Sequence, residues 1–183
     1  EELLDVSFNV YSFNLSGHGD KNFDGNLSIE AYADELYRFA ESKNLDEFYV
    51  FGHSMGGYIA LFLHLKGYSA LKGVFTLGTK LYWDPSIAEL ESRMLNPAKV
   101  KEKVPHFAQA LEKTHGEKWE SLMAAISEML KNMGIKAPIS VGDYESIKIP
   151  VQLGIGDRDK MVSLEETIDV YRRIPACRLL VIP

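Results

Sequence analysis

The chain has 183 residues, 46% of them hydrophobic and 25% charged, and a formal net charge of −6. That length and balance fit one globular domain with a sizeable core. The acidic charge, with no basic stripe to offset it, argues against nucleic acid or an anionic membrane surface as the main partner. A single cysteine, Cys177, rules out an intramolecular disulfide and fits a reducing, cytoplasmic compartment. No His/Cys cluster has zinc-site spacing. The longest apolar stretch, residues 59–65, is far too short for a membrane span.

Taken in order, residues 1–6 read as the tail of a helix and 8–15 as a short strand bounded by turn residues. Residues 16–20, Ser-Gly-His-Gly-Asp, form a loop with two glycines, in which His18 reads as a hydrogen-bonding residue. After a polar stretch, Ser28 is placed to cap a helix over 29–43, with Leu27 stapled by Tyr32. Ile29, Tyr32, Leu36, Phe39 and Ala40 recur at helical spacing along it. A turn at 44–46 leads into residues 48–61, Phe-Tyr-Val-Phe-Gly-His-Ser-Met-Gly-Gly-Tyr-Ile-Ala-Leu, an apolar strand, a corner and an apolar helix that Gly67 stops.

Ser54 stands at that corner within Gly52-His53-Ser54-Met55-Gly56. A serine on a tight strand-to-helix turn crowds the backbone two residues either side, so glycine is expected at 52 and 56. Its hydroxyl then emerges at the C-terminal edge of the sheet, where open α/β folds bind ligands. The helix start brings unpaired N–H groups and a positive dipole end beside it, with the Met55 N–H facing any oxyanion formed by attack on a carbonyl. Strand alternation turns His53 away from the corner. His64, ten residues along the helix, lies about 15 Å away by helical rise, too far to act as the base.

This segment resembles the nucleophile elbow of the α/β-hydrolase superfamily. The loop after strand 8–15 is similar to the family's Asp-x-x-Gly-x-Gly loop, except that Asn14 stands in place of the aspartate. Further on, 71–77 reads as a strand, whereas 84–137 is helical, with Asp84-Pro85 and Asn96-Pro97 each placing a cap before a proline at the first helical position. This stretch resembles the family's helical cap, inserted after the strand that follows the elbow helix. The expected organisation is a hydrolase core over 1–83 and 141–183 and a cap over 84–140, on a mostly parallel sheet flanked by helices. Residues 149–156 return to a strand, followed by Gly156, Asp159 and Val162 in the Gly-x-x-Asp-x-x-Val pattern that carries the family's triad acid. Asp159 is therefore the expected acid and Asp157 its nearest substitute. Ser163-Leu-Glu-Glu166 reads as a capping box opening a helix over 164–173, and 178–182 as a final strand.

All five histidines, at 18, 53, 64, 106 and 115, precede Asp159, against the family order Ser…Asp…His. The resemblance therefore places the catalytic histidine beyond Pro183. It places the second oxyanion donor before residue 1, on a strand that would lie between segment 8–15 and the elbow strand, as expected of an internal portion of a longer hydrolase of about 250 residues. The implied function is cleavage of a small carboxylic ester or related acyl compound through an acyl-enzyme on Ser54, with no metal or organic cofactor. Acyl transfer, lactone opening and carbon–carbon bond hydrolysis use the same layout. A ligand-binding protein that kept the fold without turnover is a further alternative, and another chain could complete the site. The oligomeric state is not legible.

Overall fold

The computed structural model describes residues 8–183; the helix tail expected at 1–6 lies outside them. Four parallel strands form one sheet in the order β1 (Phe48–His53), β2 (Leu71–Leu77), β3 (Val151–Gly156) and β4 (Cys177–Ile182). Parallel neighbours need a crossover. Helix α2 (Met55–Leu65) makes the first, a helical insertion lies within the second, and α7 (Leu164–Arg173) makes the third. Helix α1 (Ile29–Ser42) packs beside α2 and is capped as expected, with the Ser28 hydroxyl accepting from the Ala31 N–H at 3.0 Å.

The insertion contains α3 (Pro85–Met94), α4 (Pro97–Lys103), α5 (Pro105–His115) and α6 (Trp119–Ile135). Asp84 accepts from the Ser86 and Ile87 N–H groups and Asn96 from Lys99, so both Asx-Pro starts form as read. Pro105 opens a third helix with no side-chain cap. Helices α3 and α6 cross closely at Gly134, where an added Cβ would fall 2.4 Å from that of Ala88. Val100, Ala108, Trp119 and Met123 form a small core of the insertion's own, separate from the main core.

The main core lies between the sheet and helices α1 and α2. It contains Tyr32, Tyr58, Ile59, Leu61, Leu71, Tyr144, Ile147 and Leu153, all almost completely buried. Alternation assigns the sheet faces. Thr76 and Leu153, aligned across β2 and β3, are buried, whereas Tyr49 and Phe51 of β1 project to solvent on the other face. Tyr144, in a short 3-10 turn after the insertion, donates its hydroxyl to the Leu81 carbonyl at 2.6 Å and so ties the insertion's return to its exit.

Segment 8–15 is not a strand. Its apolar residues serve side-chain packing instead, with Phe13 stacked on Phe39 at 4.4 Å and Leu15 against the main core. Among the described residues β1 pairs with β2 alone, and 8–15 does not pair with its open edge. The capping box at Ser163 is half formed. The Ser163 hydroxyl accepts from the Glu166 N–H, but the Glu166 carboxylate turns instead to the Leu81 and Tyr82 N–H groups and to Lys80.

Candidate active site

Ser54 occupies the turn between β1 and α2 with φ 52° and ψ −123°. Apart from Asn44 it is the one non-glycine residue at positive φ among the described residues. Such a conformation costs roughly 1–3 kcal/mol and persists only where surrounding structure holds it. Here the Ser54 N–H donates to the Leu77 carbonyl at 2.8 Å, and the Ser54 carbonyl accepts from Thr79 Oγ1 at 2.8 Å and from the Gly57 N–H at 3.1 Å. Although Ser54 stands at the N-cap position of α2, its side chain makes no capping bond. The hydroxyl is exposed and uncommitted at the C-terminal edge of the sheet, and Met55 opens the helix, where its N–H has no helical acceptor.

Crowding requires glycine at 52 but not at 56. A Cβ on Gly52 would lie 2.3 Å from the Gly57 nitrogen and 2.4 Å from the Gly56 carbonyl carbon. A Cβ on Gly56 meets nothing within 4 Å beyond its own helix. The other crowded position is Gly57, where a Cβ would come 2.3 Å from Thr79 Oγ1 and 2.8 Å from the Thr76 Cβ. Helix α2 lies so close to β2 because both threonines are buried beneath it. Gly57→Ala is therefore expected to destabilise by about 1–3 kcal/mol, as overpacking does, while Gly56→Ala stays neutral or gains up to about 1 kcal/mol from helix propensity. Denaturant midpoints for the two variants check this ordering. Thr79 is the supporting residue that sequence reasoning missed, since a threonine after a strand-ending glycine carries no signal of its own.

Asp159 follows β3. Its Oδ1 accepts from the Met161 and Val162 N–H groups at 2.8 and 3.0 Å, which locks the carboxylate. Its Oδ2 is turned toward Gly78, 3.3 Å from the position a Cβ would take there. His53 Nε2 lies 3.9 Å from that same point. Both side chains line a cleft of about 470 Å³ at the C-terminal ends of β1 to β4, with Leu77, Gly78, Arg158 and Ile182 among its other walls. Asp157 is also in its wall, held by its N–H to the Ile182 carbonyl and paired with exposed Arg158. Alternation takes His53 off the Ser54 corner but did not reveal that it would share a cleft with Asp159.

Ser54 and Asp159 are two strands apart, about 10 Å by inter-strand spacing. The intervening Leu77-Gly78 links them, taking the Ser54 N–H on the Leu77 carbonyl and giving the Gly78 N–H to Gly154.

The model for the alpha/beta hydrolase fold matches residues 1–133. The chain belongs to that family. Among solved structures it is similar to a Nitrososphaera gargenis structure from a study of carboxylesterases (17% identity, TM-score 0.74), covering 99% of this chain and 73% of that one. A thermophilic esterase from Thermogutta terrifontis is 23% identical with TM-score 0.69, over 93% and 69% of the two chains. Est816, described as an N-acyl homoserine lactone degrading enzyme, is 19% identical with TM-score 0.67, over 91% and 71%. No curated protein matches.

The other histidines of this α/β hydrolase are placed away from the Asp159 cleft. His64 accepts weakly from the Lys148 N–H at 3.4 Å, and burial holds its pKa below the usual value. His106 is exposed on α5, and His18 and His115 touch each other where the insertion meets loop 16–20. No group of three or more metal-ligating side chains occurs among the described residues, and no helix there is long and apolar enough to cross a membrane.

Proposed function

We propose that this α/β hydrolase is a serine hydrolase that cleaves a small carboxylic ester or related acyl compound through an acyl-enzyme. The turn at Ser54 is its nucleophile elbow. The observation that carries this reading is the backbone of Ser54, held at φ 52° with its hydroxyl left free at the sheet's C-terminal edge. Ser54 Oγ attacks the acyl carbon while a histidine takes its proton; the Met55 N–H supports the oxyanion; the alcohol leaves with that proton; and water resolves the acyl-enzyme. Asp159 orients the histidine through Oδ2, the oxygen its own loop leaves unoccupied. Residues 84–140, holding the four inserted helices, act as a cap over the acyl pocket. A lactone is a cyclic ester and needs no different chemistry at Ser54.

The test is labelling with a serine-directed fluorophosphonate followed by peptide mapping. Stoichiometric modification of Ser54 is expected, slowed about 10³–10⁴-fold in Asp159→Asn, as when a triad acid loses its charge. A folded protein left unmodified at Ser54 would overturn the reading and favour a ligand-binding protein on the same fold.

A further inference from the structure

The helical insertion meets loop 16–20 through polar contacts that the proposed reaction does not use. The Gly19 N–H donates to His115 Nδ1, at the end of α5, over 3.0 Å. Lys118 Nζ donates to the Gly19 carbonyl at 2.8 Å and to the His115 carbonyl at 2.9 Å. The His18 and His115 rings meet edge to face with centroids 5.7 Å apart. Loop 16–20 is in turn tied to α1: the Tyr32 hydroxyl donates to the Ser16 carbonyl and the Ser16 N–H donates to Glu35. His18 Nδ1 lies 3.2 Å from the Ser16 carbonyl, to which a neutral Nδ1–H tautomer donates.

An imidazole nitrogen that accepts from a backbone N–H carries no proton, so His115 must hold its one proton on Nε2. Protonation would put a second N–H on Nδ1, opposite the Gly19 N–H. The contact would become donor against donor. The charged and titratable groups around this contact are His18 and Lys118 beside His115, Asp20 next in the chain to Gly19, and Tyr32 and Glu35 of α1, which hold Ser16. Glu35 is already paired with Lys21 at 2.6 Å, and Asp20 is exposed and accepts from the Asn14 amide. His115 therefore has two basic neighbours, His18 and Lys118, and no carboxylate of its own.

We propose that the Gly19–His115 contact, with His18 beside it, is an acid-released clasp that fastens the helical insertion to loop 16–20. Desolvation leads in holding both imidazoles below the usual 6.5, and for His115 the neighbouring His18 and Lys118 charges add to it. The fastened state thus disfavours the proton. Its stability is fully present above about pH 6.5 and is lost as the pH falls below that value. The clasp stands apart from the chemistry at Ser54 and holds whether or not the chain turns over an ester.

Hydrogen–deuterium exchange of peptides spanning residues 14–26 tests it, at pH 7.5 and 5.0 with rates corrected for intrinsic pH dependence. Protection of the Gly19 amide is expected to fall at pH 5.0, because a protonated His115 Nδ1 no longer accepts its N–H. His115→Asn sets an amide oxygen near the place of Nδ1, accepts the same N–H and does not titrate, so its protection should stay at both pH values. His115→Ala should lack protection at both, with circular dichroism unchanged. Equal protection of the unaltered chain at the two pH values would overturn the clasp, as would His115→Asn being as acid-sensitive as the unaltered chain or unprotected throughout.

Discussion

Ser54→Ala is expected to remove hydrolysis of short-chain p-nitrophenyl esters, a loss of roughly 10³–10⁶ in kcat, the range seen when a nucleophile that works with a base is deleted. Stability should barely move, because alanine meets the same steric penalty as serine at φ 52° and ψ −123°. Ser54→Gly makes the sharper test. Glycine enters that region without the Cβ penalty, so it should recover part of the roughly 1–3 kcal/mol of strain and raise Tm by a few degrees, at about 2–4 °C per kcal/mol for a domain of this size. Activity should vanish in both variants. A gain in stability from Ser54→Gly together with lost turnover would show that the turn stores strain to present the hydroxyl. If Ser54→Gly gained nothing in Tm, the surrounding hydrogen bonds would not be holding a strained backbone.

Glu166→Ala should produce the largest loss of stability, about 3 kcal/mol or some 6–12 °C in Tm. The Glu166 carboxylate, 9% exposed, accepts from the Leu81 and Tyr82 N–H groups and faces Lys80 Nζ at 3.3 Å. Lys80 also donates to the Met161 carbonyl, and Glu91 of α3 stands 3.9 Å from it. Burial, the leading cause, raises the Glu91 pKa, so Glu91 is a weak substitute counter-ion. Removing Glu166 leaves two N–H groups without acceptors and a lysine short of charge, at the segment that carries β2 into the insertion. Glu166→Gln keeps an oxygen for the two N–H groups and loses only the charge, so it should recover more than half of the loss. Thermal melts of the two variants give the comparison. Equal losses would assign the effect to the ion pair alone.

Local rules made most of the elements legible. Ser28, Asp84 and Asn96 cap helices within a few residues of themselves, and the proline after each Asx suits the first helical position. Strands β1 to β4 read as compact apolar runs because parallel strands carry little polar alternation, even where, as at Tyr49 and Phe51, one face is open. Segment 8–15 misled for the same local reason. Its apolar residues between turn residues suit a strand, but a strand exists only where another backbone meets its hydrogen bonds.

The candidate site divides in the same way. Ser54 and Asp159 could be picked out because each lies in a short pattern whose glycines and turn residues act within a few positions. The pinning of Asp159 Oδ1 by the N–H groups two and three residues on is likewise a local event. What supports them acts across the sheet. Thr79 holds the Ser54 carbonyl from 25 residues away, Gly57 rather than Gly56 takes the crowding of α2 against β2, and Gly78 leaves room where His53 and Asp159 converge. Glu166 left its expected cap for a partner 84 residues distant. The sequence by itself determined the helix caps, the strands of the sheet and the two residues of the proposed chemistry, since each depends on bonds spanning a few residues. Only the tertiary structure decided which glycines are indispensable, which carboxylate braces the insertion and which histidines face one another. Those outcomes depend on the spacing between packed elements, a distance that no local pattern encodes.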